Sequence, residues 1–178
     1  MLNSRISPFL TIYNLSDSSY IQYGNIGNGP GEFIAPSLCE MKDPGKIGIY
    51  SNSMNKLDVF HFKSDTLSLV KTFHFPLWNK QRGIPKAYTR LVQYNDSLFI
   101  GTSFMPKEIS VELMNLKTEK VVDCADFPLK PEEEEYSGPY ECKIATGTNF
   151  MVAAYRYINR LEIYRLSAQK FQLKTIIG

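Results

Sequence analysis

The sequence predicts an all-β fold in which one small sheet is repeated along the chain. Aromatic residues make up 13% of the 178 residues, and aromatic and β-branched residues favour strands over helices. The pattern apolar-x-apolar-apolar-x-apolar occurs four times, and its closing residues lie 47, 54 and 50 positions apart. Such a spacing indicates a repeated supersecondary structure. The four copies are LTIYNL at 10–15, LDVFHF at 57–62, VELMNL at 111–116 and LEIYRL at 161–166.

The first copy of the pattern belongs to an incomplete repeat. Residues 9–23 hold LTIYNL, a polar turn and the short run SYIQY, which is enough for two antiparallel strands. When the strands of a complete repeat are lettered a to d in chain order, these two correspond to c and d. We therefore expect a half-repeat over 9–23.

Each of the other three copies is preceded by two further short strands. Turn formers separate these runs: DPG at 43–45, ND at 95–96 and TGTN at 146–149. Four strands in a repeat of about 50 residues, with no amphipathic helix between repeats, are typical of a β-propeller blade. The predicted four-stranded antiparallel blades are 35–75, 88–127 and 140–177.

The predicted organisation is a single β-propeller segment over 1–178 with roughly three and a half blades. Blades pack face to face, so an open arc leaves an apolar sheet face uncovered at each end. Three arrangements would cover these faces: a longer ring of which the chain is a part, self-association through the open blade faces, or a four-bladed ring completed by another strand pair. The first is favoured, because the chain begins inside a repeat and its last blade has no capping element.

The charge and hydropathy of the chain argue against two classes of partner. Twenty basic and 18 acidic side chains give a net charge of +2, which is not the basic footprint of a nucleic-acid-binding protein. No run of 18 apolar residues exists, so we predict no transmembrane segment. The N-terminal stretch also lacks the long apolar run of a secretory signal.

Motifs for catalysis or tight metal binding are missing from the sequence. Its two histidines, His61 and His74, fall on predicted c and d strands toward the outer edge of a blade. There is no H-E-x-x-H, G-x-S-x-G or EF-hand pattern. We predict no cofactor, although an oxygen-ligated calcium on the propeller axis stays open. Outside any C-x-x-C pair, the cysteines are expected to be small buried hydrophobes: Cys39, Cys124 and Cys142.

A glycine-rich loop, GNIGNGPGEF at 24–33, separates the half-repeat from the first blade. Its glycines permit a sharp turn, and Glu32 follows where a phosphate-binding loop would have Lys. We expect Glu32 to cap exposed backbone amides and Phe33 to lie between blades. The string G-x-G-P-G-E-F at 27–33 resembles the signature of the TolB-like or NHL-like six-bladed β-propellers of Bacteroidota, and the repeat pattern extends the likeness over nearly the whole chain.

This resemblance implies a six-bladed ring and a periplasmic or cell-surface location, since members of that family usually follow a lipoprotein or secretory signal. The wider NHL and TolB group includes protein-binding modules and some metal-dependent hydrolases. The resemblance therefore implies a fold and a location, and leaves the activity open.

Propeller topology predicts where a binding surface lies. The d–a loops and the b–c loops emerge on the same face of a propeller, whereas the c–d turns on the opposite face are expected to be tight and featureless. The d–a loops are 24–33, 76–87 and 126–139, and the b–c loops are 51–55, 104–108 and 156–159. A tryptophan among cations is a plausible contact for a partner or a sugar. The predicted binding residues are Trp78, Lys80, Arg82, Lys86 and Arg156.

The function predicted from these features is a non-enzymatic binding or interaction module for a protein or carbohydrate. One alternative is an NHL-type metal-dependent hydrolase or lyase whose site is incomplete in this chain. The other is a purely structural envelope domain. The four carboxylates at 132–135 are expected to belong to a solvated loop, because consecutive glutamates in an extended segment point apart.

Overall fold

The computed structural model describes residues 7–29, 31–63, 65–75, 78–79, 84–85, 88–103, 109–126, 142–156, 158–167 and 170–178. All regular structure in these ranges is β-strand. The chain divides into two compact units, Met1–Phe75 and Pro76–Gly178, and each is described by itself.

The first unit contains one two-stranded and one four-stranded antiparallel sheet. The pair β1–β2 forms the half-repeat, and the order β5-β6-β7-β8 forms the complete repeat. A short parallel pair, β3–β4, lies within the glycine-rich loop. The strands are β1 Leu10–Tyr13, β2 Tyr20–Tyr23, β3 Asn25–Ile26, β4 Glu32–Phe33, β5 Pro36–Cys39, β6 Lys46–Ser51, β7 Lys56–Lys63 and β8 Thr66–His74.

The second unit contains two four-stranded antiparallel sheets, ordered β11-β12-β13-β14 and β15-β16-β17-β18. A short antiparallel pair, β9–β10, precedes them, in a stretch that the sequence predicts as a connecting loop. The strands are β9 Trp78–Asn79, β10 Ile84–Pro85, β11 Tyr88–Gln93, β12 Leu98–Ser103, β13 Ile109–Asn115, β14 Lys120–Asp126, β15 Cys142–Thr146, β16 Phe150–Tyr155, β17 Leu161–Leu166 and β18 Phe171–Ile177.

A β-bulge recurs at the same place in all three four-stranded sheets. Strand c pairs without interruption with strand b, but its register with strand d shifts at the two central apolar residues of the repeated pattern. One residue of strand d is therefore left out of the ladder each time. These residues are Val70, Val122 and Lys174, at intervals of 52 positions.

The first unit is held together by aromatic packing between its sheets. Phe9, Phe33 and Phe60 belong to one buried cluster with Leu10 and Ile49. The rings of Phe9 and Phe33 lie 5.1 Å apart in an edge-to-face arrangement, a geometry that adds to the energy of burial. The expectation that Phe33 lies between sheets is confirmed.

The second unit buries an apolar core between its two sheets. The two sheets are also linked by a hydrogen bond, in which the backbone N–H of Phe171 donates to Asp123 Oδ2 at 2.6 Å. The buried members are Val92, Leu98, Ile100, Val111, Leu113, Ala125, Cys142, Ile144, Met151, Ala153, Tyr155, Tyr164 and Leu166.

The all-β fold with four-stranded antiparallel sheets is confirmed, and β17 coincides with the copy of the pattern at 161–166. The grouping of all sheets into one segment, with blade limits 35–75, 88–127 and 140–177, stays a prediction. One cysteine differs from expectation: Cys39 and Cys142 are buried, but Cys124 is only partly so.

Candidate functional site

Two of the five predicted binding residues lie in the described part of the chain. Trp78 begins β9, where its backbone pairs with Pro85. Arg156 is exposed at the bend directly after β16. Lys80, Arg82 and Lys86 lie outside the described residues, as do the carboxylates at 132–135. A common site for Trp78, Arg156 and the three other cations therefore stays a prediction.

The glycine-rich loop is a structural support. Glu32 Oε2 accepts a hydrogen bond from the backbone N–H of Gly29 at 2.6 Å, which confirms the expected capping role. A Cβ at Gly27 would collide with that same carboxylate oxygen, so a side chain at this position would displace Glu32 from the cap. The residues of the 27–33 string thus fold back on one another.

A buried polar residue occupies the second position of every copy of the repeated pattern. Thr11, Asp58, Glu112 and Glu162 are between 2% and 8% exposed. In the apolar-x-apolar-apolar-x-apolar pattern this position is an x, although three of its four occupants are acidic. An acidic residue inside an apolar strand is the signal that identifies it, because carboxylates are seldom buried unless they are paired. Asp58 and Glu162 lie near the start of strand c, close to the b–c turn, and Glu112 is the fourth of the seven residues of β13.

The Glu162 cluster consists of Tyr155, Arg160, Glu162 and Tyr164. The hydroxyls of Tyr155 and Tyr164 donate to Glu162 Oε2 at 2.8 and 2.7 Å. Arg160 donates through Nε to Glu162 Oε1 at 2.8 Å, and its Nη2 lies 2.7 Å from the same oxygen. Both carboxylate oxygens are therefore bound, which offsets the cost of burying the charge.

Burial, together with the Glu162 carboxylate, raises the pKa of two groups at this cluster. Burial first, and then the Glu162 hydrogen bond and charge, raise the pKa of Tyr164. Burial, reinforced by the same negative charge, raises the pKa of Cys142 to about 12. Cys142 is thus a protonated thiol at neutral pH, and thiols react as thiolates. The role of this cluster is structural, because its hydrogen bonds hold the end of β16 against the start of β17.

The other two carboxylates are paired by different side chains. Asp58 Oδ2 lies 3.0 Å from Lys56 Nζ, and Asp58 Oδ1 accepts a hydrogen bond from Thr72 Oγ1 at 2.6 Å. Glu112 Oε2 accepts a hydrogen bond from the buried Tyr88 hydroxyl. The buried acid at the second pattern position is therefore paired by a different set of side chains in each sheet.

A cleft of about 300 Å³ lies at the opposite end of the first unit, beside its c–d turns. Its wall includes Tyr13 and Tyr20 from the half-repeat and Phe62 and Asp65 from the complete sheet. The expectation that the c–d turns are featureless is wrong for this unit. Their sequences are polar, and sequence alone does not show that two neighbouring turns leave a gap.

Within the described ranges, His, Cys, Asp and Glu form no group of three that could hold a metal ion. The same ranges contain no helix long and apolar enough to cross a membrane. His61 and His74 lie on β7 and β8 as predicted, and both are exposed.

No family model matches the chain, and no curated protein matches it either. Several solved structures have a similar fold. A Bacteroides fragilis protein provisionally named as exported is 16% identical, with a TM-score of 0.60 over 98% of this chain and 48% of that one. The β-propeller domain of Myceliophteria thermophila Cps50 (Swd1) is 11% identical, with a TM-score of 0.54 over 90% and 46%. The fold is a partial β-propeller.

A third propeller neighbour is KlAtg21, in its complex with the coiled coil of AgAtg16. It is 12% identical, with a TM-score of 0.58 over 94% of this chain and 48% of that one. The chain spans about half the length of the solved structures that it matches. At identities this low the similarity establishes the propeller fold alone, because a shared fold does not imply a shared function.

Proposed function

We propose that this β-propeller is a non-enzymatic binding module that contacts a protein partner through its b–c and d–a loops. The observation that carries the proposal is the position of Arg156, which is exposed immediately beside the buried Glu162 cluster. Its neighbour Tyr155 is hydrogen-bonded to Glu162. The backbone that carries the Arg156 side chain is therefore held in place at the end of β16. Binding groups on rigid supports lose less entropy when a partner arrives.

The chemistry of the partner follows from charge. The predicted contact residues are four cations, Lys80, Lys86, Arg82 and Arg156, with Trp78 as the aromatic member. An acidic or polar protein surface complements such a set, and Trp and Arg are the residue types that most often dominate interface energies. A propeller of similar fold, KlAtg21, occurs in complex with a coiled coil, which supports a protein partner.

The test compares single variants of the purified chain as bait in extracts of the cells that make it. Trp78→Ala and Arg156→Ala are expected to lower recovery of a specific partner at least tenfold. Arg165→Ala is the matched control: it removes an exposed arginine from the same sheet, near the c–d end of β17. Equal recovery with all three variants would overturn the proposed contact surface.

We further propose that the chain belongs with the TolB-like or NHL-like six-bladed propellers and works outside the cytoplasm. The G-x-G-P-G-E-F string at 27–33 and the similarity to a Bacteroides fragilis protein provisionally named as exported support this. Fractionation of the producing cells tests the location, and recovery of the protein with cytoplasmic markers would contradict it.

A further inference from the structure

The tyrosine cleft of the first unit is a second surface with recognisable binding chemistry. It is the 300 Å³ cleft beside the c–d turns, and its volume is at the lower end of small-ligand sites in proteins. None of its described lining residues belongs to a d–a or b–c loop. Its wall includes Ile12, Tyr13, Leu15, Tyr20, Phe62 and Asp65.

Two tyrosine rings stand at the mouth of the cleft. Tyr13 and Tyr20 face each other directly across β1 and β2, with ring centroids 5.7 Å apart. The side chains are 51% and 60% exposed. The two half-exposed rings are tilted by 44° to each other, so they offer two separate apolar ring faces together with two phenol hydroxyls.

The turn that joins the two strands is closed by hydrogen bonds between its own residues. Asn14 Oδ1 accepts hydrogen bonds from Ser16, with the backbone N–H at 3.0 Å and the hydroxyl at 2.6 Å. Asp17 Oδ1 accepts from the backbone N–H of Ser19 at 2.8 Å, and Asn14 N–H donates to the Ser19 carbonyl at 2.8 Å. The turn therefore sets the positions of both rings before a ligand arrives, which reduces the entropic cost of binding.

Three polar groups at the cleft are available to a ligand. The hydroxyls of Tyr13 and Tyr20 and the carboxylate of Asp65 make no hydrogen bond or ion pair to any residue that the structure describes. Asp65 is exposed, with a positive φ of 59° that points to a tight turn. A purely apolar ligand would cover these groups and leave them unsatisfied, at a cost in affinity.

We propose that the tyrosine cleft binds a neutral saccharide. A sugar ring has a C–H face that can stack on a tyrosine ring and an edge of hydroxyls that can donate to Asp65 and exchange hydrogen bonds with the phenols. The cleft wall carries no basic side chain among the described residues, and the Asp65 carboxylate repels acidic sugars. The cleft volume suits a mono- or disaccharide end of a longer glycan.

The test is an NMR titration of the labelled chain with malto-, cello-, manno- and chito-oligosaccharides, with sialyllactose as the acidic probe. We expect one of the neutral series to shift the amide signals of Tyr13, Tyr20 and Asp65. Tyr20→Ala and Asp65→Asn should each weaken that binding at least tenfold; Asn suits the positive φ at position 65, so the turn is kept. Phe150→Ala, which truncates another exposed aromatic side chain on a different sheet, should leave it unchanged.

Three outcomes would overturn the saccharide proposal: no shift with any neutral series, stronger binding of sialyllactose, or wild-type affinity in both cleft variants. Circular dichroism of each variant separates lost folding from lost binding. Arg156→Ala should leave saccharide binding intact, so failure of the loop surface and failure of the tyrosine cleft are distinguished by different variants.

Discussion

At the scale of single residues, the buried acids of the repeated pattern hold neighbouring strands together through hydrogen bonds and ion pairs. Glu162 is 2% exposed and is bound by two phenols and a guanidinium. Such a group is stabilised only while its donors stay in place, because an unpartnered buried charge is costly. The exposed Arg156 follows Tyr155 in the chain, so the hydrogen bond from Tyr155 to Glu162 also restricts the backbone at Arg156.

Replacing Glu162 by Gln tests this account. The amide keeps the shape but removes the charge that Arg160 and both tyrosines bind, and hydrogen bonds to charged groups contribute about 2 kcal/mol. We expect urea denaturation to show a loss of about 2 kcal/mol in the free energy of unfolding. The matched control Glu119→Gln, in an exposed turn, should stay within about 0.5 kcal/mol of the parent protein. Equal effects at both positions would contradict the cluster.

Thiol reactivity gives a second residue-scale prediction, with its sign fixed by the raised pKa. Because burial raises the pKa of Cys142 to about 12, its reactive thiolate is scarce at every pH below that value. We expect iodoacetamide at pH 8 to label the half-buried Cys124 first and to leave Cys39 and Cys142 unmodified in the native protein. Mass spectrometry of peptides reads out the order. Labelling of Cys142 at the rate found in denaturant would refute the prediction.

The residue scale is also where sequence is least informative. The acidic residue at the second position of the pattern is visible in the sequence, but its partners come from different places in each sheet. They lie on strand a for Glu112, on strands c and d for Asp58, and on strands b and c and in the turn between them for Glu162. Spacing cannot show which polar side chains meet across a sheet. The capping by Glu32 could be predicted because both partners lie within one tight loop.

At the scale of elements, strands were predictable because short apolar runs alternate with turn formers, as in β6 and β17. The recurring bulge was not, since one unpaired residue in strand d leaves no compositional trace. The tyrosine cleft was missed for a related reason. It arises where two turns meet, and each turn alone has an ordinary polar sequence.

Replacing two strand-c residues at adjacent pattern positions by alanine tests how deeply each position is buried. Phe60 is 2% exposed and packs against Tyr23, with ring centroids 5.1 Å apart. Phe60→Ala should therefore cost about 3–5 kcal/mol. Ile163, at the third position of its own copy of the pattern, is only partly buried. Ile163→Ala should cost about 1 kcal/mol, below the range for a fully buried isoleucine. Chemical denaturation measures both, and equal losses would show that the two faces are buried alike.

At the scale of the whole molecule, the near balance of positive and negative charge disfavours binding to nucleic acid. A net charge of +2 over 178 residues provides few phosphate contacts. We expect no binding of a 20-base-pair duplex, by fluorescence anisotropy in 150 mM salt, at protein concentrations below about 0.1 mM. Salt-dependent binding in the micromolar range would show that the basic residues form a nucleic-acid surface.

The bulge in strand d has a consequence for how the protein behaves in a crowded solution. Strands β8, β14 and β18 lie at sheet edges and expose Leu69, Val121 and Leu173, the kind of apolar edge on which foreign strands stack into aggregates. An extra residue in the edge strand breaks the regular spacing of its free N–H and C=O groups. A strand of another molecule can then form only a few hydrogen bonds with the edge strand before the two ladders fall out of register. We therefore expect the irregularity at Val70, Val122 and Lys174 to disfavour the stacking of chains into fibres.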